Sequence, residues 1–202
     1  FLARILGALY FINNIDDKDL VARSRRSLIG NSVLFLVFFL SFVIRTLLAD
    51  GYAVNPETGE VFMEPYKYLT NFIEMPLVLV LFLIGVVLVL FGIGKSLLKT
   101  KFDKGIWFTG IGTVLAVLAL LLVAGYNNTA YYPSTNDLQS SLTLANSCSS
   151  QFTLRVMFYV SFLVPFVLAY IFYAWRSIDI HKISEKEMKD GCLLYTSPSP
   201  RD

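Results

Sequence analysis

Histidine and cysteine are almost missing from this 202-residue chain, which contains one His and two Cys. Cys148 and Cys192 stand far apart with no Cys-x-x-Cys spacing, so neither a disulfide framework nor a thiolate metal site is encoded. His181 falls in a charged segment near the C-terminus, where an imidazole is an ordinary solvated group. A haem inside a membrane takes axial ligands, commonly His and otherwise Met or Cys. No His lies within an apolar run, so the chain by itself is not expected to hold a haem. Charge is scarce too: 16% of residues are Asp, Glu, Lys or Arg, and the net charge is +2. Without a basic cluster interleaved with aromatics, nucleic acid is excluded as a partner. A Ser/His/Asp arrangement, a Gly-rich phosphate loop and a two-carboxylate hydrolase pattern are all absent.

What the chain has in quantity is hydrocarbon. Hydrophobic residues make up 55%, against about 45–50% in soluble domains, and the mean hydropathy is +0.61. Crossing a hydrocarbon core of roughly 30 Å takes about 20 helical residues. Four segments reach that length: 27–49, 71–94, 106–126 and 156–175. FLARILGALYFI (1–12) is too short and reads as the tail of a preceding span. The expected fold class is all-α, a polytopic membrane helix bundle of four complete transmembrane helices plus the end of a fifth. Residues 13–190 form the four-helix membrane bundle. CLLYTSPSPRD (192–202) breaks from the Lys/Glu pattern before it and, read back through the genetic code, resembles a transposon-end sequencing adapter. It is expected to be a library artefact outside the fold.

Cations orient the spans. Lys18, Arg23, Arg25 and Arg26 fall within 13–27; Lys95, Lys99, Lys101 and Lys104 within 95–104; and Arg176, Lys182, Lys186 and Lys189 within 176–190. Loop 50–70 has only Lys67, and 127–154 has no Lys or Arg. By the positive-inside rule the basic loops and the C-terminus are cytoplasmic, and the other two loops face outward. Asp-Gly, Asn-Pro and Thr-Gly within 49–60 signal turns, Gly94 before Lys95 fits a helix end, and Pro165 predicts a kink in the last span.

Polar residues in and beside the spans are the candidate sites. Arg45 and Asp50 flank the outer end of the first span, and Glu74 stands where the second begins, placed for a headgroup or proton site or for an interfacial pair and a helix N-terminus. Arg155 is the first charge after the long uncharged run 140–154. Asn31, Ser32, Ser41 and Ser161 suit a quinone carbonyl or interhelical hydrogen bonds, while Gly110, Gly112, Ala116, Ala119 and Gly125 suit close helix packing. Trp107, Trp175 and the tyrosines near span ends fit an interfacial belt. Asn127-Asn128-Thr129 matches a glycosylation sequon.

The uncharged run carries a more specific pattern. Tyr132, Pro133, Ser134 and Thr135, then Ser141, Leu142 and Thr143, Asn146, Ser149, Ser150, Thr153, Leu154, Val156 and Met157, resemble the outer loop of subunit II of cytochrome bd-type quinol oxidases. GALYF (7–11), RSRRS (23–27), DGYAV (50–54) and WRSIDIHKISEKEM (175–188) are similar to further segments of that family. The resemblance covers about 1–190 and implies the C-terminal half of a subunit in the bacterial inner membrane. It implies a partner, oxidase subunit I, that carries haems b and d, with quinol oxidised and dioxygen reduced to water by the complex. This chain would then scaffold subunit I, in contact with membrane lipids and the quinone pool and with a structural quinone as a further expectation; it would supply no catalytic, cofactor-binding or metal residue. From the residues alone a secondary transporter or a structural membrane protein remains an alternative. The hydroxyl-rich run is expected to cap helix ends, with Thr153 capping the last span.

The orientation has a direct check. A cysteine placed in the 95–104 turn should react with a membrane-impermeant maleimide only from the cytoplasmic side; labelling from the periplasm would overturn the assignment.

Overall fold

The computed structural model describes residues 1–99, 102–178 and 183–184. Lys101, His181, Lys182, Lys186, Lys189, Cys192 and the 192–202 string lie outside the described residues.

Helix α1 (Leu2–Asn14) is followed by β1 (Ile15–Asp16) and α2 (Lys18–Leu48). Asp17 starts α2 by accepting from the backbone N–H groups of Asp19 at 2.8 Å and Leu20 at 3.0 Å, which satisfies two of the orphan donors of a first turn. At 1.5 Å per residue α2 is about 46 Å long, more than a hydrocarbon core needs, so its basic first turns extend beyond the apolar stretch. Leu20 lies beside Phe11 and Phe38 stacks on Phe1, so α1 folds back antiparallel along the basic part of α2. The sequence reading of 1–12 as a span's tail thus becomes a 13-residue helix whose Ile5, Leu9 and Ile12 are buried with Leu28, Val89 and Ile93. Beyond α2 come the hairpin β2 (Gly51–Val54) and β3 (Val61–Glu64), α3 (Lys67–Glu74), α4 (Pro76–Leu98) and α5 (Gly105–Gly125). Short α6 (Leu144–Ser147), then α7 (Gln151–Ser161), α8 (Val164–Ile178) and β4 (Ile183–Ser184) complete the described chain. β4 pairs parallel with β1.

Among the described residues four helical stretches are long and apolar enough to cross a membrane: Lys18–Leu48, Pro76–Leu98, Gly105–Gly125 and Gln151–Ser177. Several bounds differ from the sequence reading, both ends of the second span among them. The second span starts at Pro76, not Asn71, because proline disfavours helical backbone at Met75 before it; Met75 sits at φ −113°, ψ 72° and separates α3 from α4. That span also runs past Gly94 to Leu98. Gly94 is therefore mid-helix rather than an end, and the Lys95 ammonium lies over the Phe91 and Phe102 rings at 4.8 and 4.7 Å. The fourth span is broken as Pro165 predicts: α7 stops at Ser161, Phe162–Leu163 form a turn, and Pro165 sits in the first turn of α8, where its missing N–H costs nothing.

The α4–α5 pair forms the spine. Hydrocarbon side chains gain little by leaving lipid for protein, so membrane helices associate where small residues let backbones approach. A Cβ built on Gly85 would stand 2.6 Å from the Ala116 nitrogen, and one on Gly112 would stand 2.6 Å from the Gly85 carbonyl oxygen. Added Cβ atoms on Gly92 and Gly105 would collide with the hydroxyls of Thr109 and Ser96 respectively. Gly112, Ala116 and Ala119 lie in the seam as the sequence suggests, whereas Gly110 faces open space and Gly125 meets only Tyr131. The α4 half of the seam had no counterpart in the sequence reading. A second buried cluster, Phe72, Phe82, Ala116, Ala119 and Val123, closes the hairpin end. From Gln151 to Ser177 every side chain is exposed except half-buried Ala174.

Asn31, Ser41 and Ser161 bond to their own helices rather than across helices: Asn31 Nδ2 to Ser27 O at 2.7 Å, Ser41 Oγ to Val37 O at 2.8 Å and Ser161 Oγ to Phe158 O at 2.6 Å. Back-bonding of this kind silences a polar group in an apolar medium. Ser32 is buried with its hydroxyl unpartnered.

Gly112→Val should lower the stability of the assembled protein by at least about 2 kcal/mol, because the new atoms meet backbone that cannot yield. Gly110→Ala should leave it unchanged or raise it slightly. Thermal unfolding of the two variants in matched detergent checks both.

Candidate functional site at the hairpin end

Part of the outer-loop motif singled out by the sequence gathers at one end of the bundle, where α2, α3 and α5 meet the hairpin and the uncharged run. β2 and β3 pair antiparallel from Gly51↔Glu64 to Val54↔Val61. Asn55 Oδ1 accepts from Glu57 N at 2.9 Å and Thr58 N at 3.4 Å, and Gly59 takes φ +75°, so the Asn-Pro and Thr-Gly signals do make the turn. Gly51 is a different case. It is not a turn residue but the first residue of β2, and a Cβ there would lie 2.6 Å from the Lys67 Cβ.

The chain leaving α5 becomes a third strand in effect. Val54 N donates to Asn128 O at 2.7 Å, and Ala130 N to Tyr52 O at 2.9 Å. Reaching this register takes two successive left-handed residues, Asn127 at φ +58° and Asn128 at φ +53°, a region asparagine tolerates better than other side chains. On the far edge, Gln139 acts as a piece of strand: its Oε1 accepts from Val61 N and its Nε2 donates to Val61 O, both at 2.9 Å.

Asn71 ties these parts together. It is fully buried in α3, and its Nδ2 donates to Val123 O at 2.9 Å and to Thr129 Oγ1 at 2.8 Å. Val123 O is one of the last carbonyls of α5, which have no partner within the helix. Asn71 Oδ1 accepts from Asn127 Nδ2 at 3.0 Å, and the same Nδ2 also donates to the Glu74 carboxylate. The Asn127 amide is thus engaged and Thr129 is 2% exposed, so the sequon is structural. Sequence reasoning missed Asn71 because it counted as the first residue of a span. The signal that could have found it is the proline five residues on, which makes 67–74 a separate interfacial helix.

The uncharged run is pinned by its own hydroxyls. Tyr132 and Leu142 bridge, and the buried Ser141 hydroxyl accepts from Ser134 N at 3.0 Å while donating to Leu138 O at 2.6 Å. Thr143 and Asn146 form a reciprocal capping box on α6, and Asn146 Nδ2 also reaches Ser141 O at 2.9 Å. Pro133 is half-buried between these contacts, whereas Ser149 and Leu154 are exposed and outside them. Thr153 does not cap the last span. The cap is Ser150, whose Oγ accepts from Thr153 N at 3.4 Å, because the helix starts at Gln151, five residues before the apolar run.

The charged candidates are not brought together. Arg45 and Asp50 are exposed and unpaired with each other, and Arg155 is exposed on α7. Glu74 ends α3 rather than starting a span, so it stands at a helix C-terminus, and the Asn127 amide rather than a dipole holds it. The ion pair present is Lys67 with Glu64 at 3.1 Å, in which the Lys67 side chain is 8% exposed. Burial pushes the Tyr68 phenol above its ordinary value, and neighbouring Tyr52 acts in the same direction. Among the described residues no group of three or more His, Cys, Asp or Glu could hold a metal. The arrangement is a neutral clasp that fastens helix ends and holds the extramembrane chain against them.

Asn71→Leu should cost about 2–3 kcal/mol, the penalty of stranding buried polar partners, and should open 131–150 to protease; an unchanged melting temperature and digestion pattern would refute the clasp. Since the neutral Tyr68 phenol is the favoured form, its stabilisation is present below its ordinary pKa of 10.0 and lost as pH rises above it. A Tyr68→Phe variant should lose that alkaline component in a pH-melting series.

Comparison with known proteins matches this sequence to a family. The family described as cytochrome bd terminal oxidase subunit II matches residues 1–178. Cytochrome bd-I ubiquinol oxidase subunit 2 of Escherichia coli K12 is 32% identical over 136 residues, which is 66% of this chain and 34% of that protein. The proteins of that name from E. coli O6:H1 and O157:H7 align with the same figures. The chain therefore spans about a third of the length of the curated relatives it matches. With the match running unbroken from α1 through the spine and the clasp to the end of the broken fourth span, the chain belongs to the cytochrome bd terminal oxidase subunit II family.

Proposed function

We propose that this chain is a haem-free part of subunit II of a bd-type respiratory quinol:oxygen oxidoreductase. It scaffolds a haem-bearing subunit I in the bacterial inner membrane and keeps its C-terminal side in the cytoplasm. The observation that carries the reading is the family match over 1–178. The bare surface of α7 and α8 supports it: a broken apolar helix with no buried side chain on its own bundle suits contact with a second membrane protein or with lipid.

Haems b and d belong on subunit I in this reading, where they would carry electrons from quinol to dioxygen. The donor set of this chain offers a haem no His within an apolar segment, and Cys148 is exposed at the hairpin end. Quinone contact is part of the proposal. The cleft lined by Phe35, Phe39, Val86, Val89 and Ala116 has a volume of about 220 Å³ and suits a prenyl tail. Its one polar lining side chain, Thr113, already donates to Thr109 O at 2.7 Å, so it has no free proton for a quinone carbonyl.

Co-purification decides the reading. The full-length subunit should bring down a larger partner with haem absorbance, and when expressed alone it should carry none. Stoichiometric haem on the lone subunit would overturn the scaffold role, and substrate uptake into proteoliposomes without any haem partner would favour a transporter.

A further inference from the structure

At the end of the bundle opposite the clasp, α1 and α2 leave a groove of about 410 Å³ between them. Arg4, Gly7 and Ala8 line it from α1, and Arg23, Ser24 and Ser27 from α2. Among the described residues no carboxylate lines it. Both arginines are exposed, and among the described residues neither has an ion-pair or hydrogen-bond partner. This is unusual beside Asp19, one turn before Arg23, which stays beyond ion-pairing distance. Ser27 Oγ accepts from Asn31 Nδ2 at 3.1 Å, so its own proton is free to be donated. Two arginines and two serine hydroxyls thus line one open groove that no described carboxylate lines.

The groove also changes character along its length. Helical spacing of three or four residues places Phe1 on the stripe of Arg4, Gly7 and Ala8, and Phe38 on the stripe of Arg23, Ser24 and Ser27. Phe1 and Phe38 stack with centroids 5.8 Å apart, are 48% and 59% exposed, and lie toward the apolar stretch of α2 that begins at Leu28. A cationic, hydroxyl-bearing mouth leads onto an exposed aromatic ledge.

We propose that this groove binds one anionic phospholipid, with its phosphate between Arg4 and Arg23, its remaining oxygens on Ser24 and Ser27, and an acyl chain along Phe1 and Phe38. Arginine suits the phosphate because its planar fork donates two hydrogen bonds to one anionic group. Basic pockets between membrane helices hold acidic lipid headgroups by the same chemistry. The proposal does not depend on the oxidase reading, since haem content and lipid retention are measured separately.

Native mass spectrometry of the full-length subunit in its complex, in nanodiscs with and without phosphatidylglycerol, tests it. The wild type should retain one phosphatidylglycerol and no zwitterionic lipid in its place. Arg4→Gln combined with Arg23→Gln should weaken retention roughly 25-fold, at about fivefold per arginine near a charged surface. Arg45→Gln, at the other end of α2, should not change it. Gly7→Leu keeps both charges but fills the groove, and a Cβ at Gly7 meets nothing within 4 Å, so the fold has room for it. It should also lose the lipid, and it decides the matter if the double arginine variant fails to assemble. Equal retention by the variants and the wild type would overturn the proposal. Displacement of the lipid by millimolar inorganic phosphate would overturn it too, by making the groove a site for the free anion.

Discussion

The packed core of this molecule is hung on the backbone contact between α4 and α5. In lipid a leucine gains almost nothing by turning from an acyl chain to another leucine, so two apolar helices stay together only where their surfaces fit closely enough for dispersion to add up. Gly85, Gly92, Gly105 and Gly112 provide that fit by omitting side chains at the points of crossing. Once the pair is locked, both of its ends are in register. At one end Leu9 of α1 comes against Gly105, and Leu28 of α2 joins the same buried cluster. At the other end the last carbonyls of α5 lie within reach of Asn71.

The two ends handle polar groups by opposite means. The hairpin end uses neutral amides and hydroxyls, each of which closes a nearby backbone group: Asn71 on Val123, Gln139 on Val61, Ser141 on Leu138 and Ser150 on Thr153. Such bonds work without counter-charges and leave little unsatisfied, which a chain lying against a membrane surface requires. The basic end uses charge. Lys95 rests between two phenylalanine rings, and the Arg25 guanidinium donates to Lys99 O at 3.3 Å, tying α2 to the turn after α4. The asymmetry explains why 140–154 can be rich in serine and threonine and still be ordered: its hydroxyls are the structure.

The broken fourth span stands apart from this scheme. Pro165 forces a new helix start, and neither half buries a side chain on the rest of the chain. The bundle thus presents a wide apolar face made of one kinked element, while the packed spine lies elsewhere. That division of labour, a rigid core pair and a separate surface element, fits a subunit of a larger membrane assembly.

How much was legible in advance divides along physical lines. Four apolar stretches, the alternation of basic and cation-poor loops, the Asn55 turn and the break at Pro165 are local properties, because insertion into a bilayer and turn formation depend on a few consecutive residues. The motif carried by Pro133, Ser134, Ser141, Thr143 and Asn146 gave the family by pattern. The clasp was only half visible: its loop drew notice, but Asn71 passed for the start of a span, Glu74 for an N-terminal charge, Thr153 for a cap and Gly94 for a helix end. The ties of Asn71 depend on atoms of a distant segment coming within about 3 Å, the reach of a hydrogen bond. The other three turn on helix bounds, since α3 ends at Glu74, α7 starts at Gln151 and α4 runs on to Leu98. Sequence by itself determined which stretches are long and apolar enough to cross a membrane; tertiary structure decided which small residues become contacts and which amides become ties, because those outcomes rest on distances between segments that no local window contains.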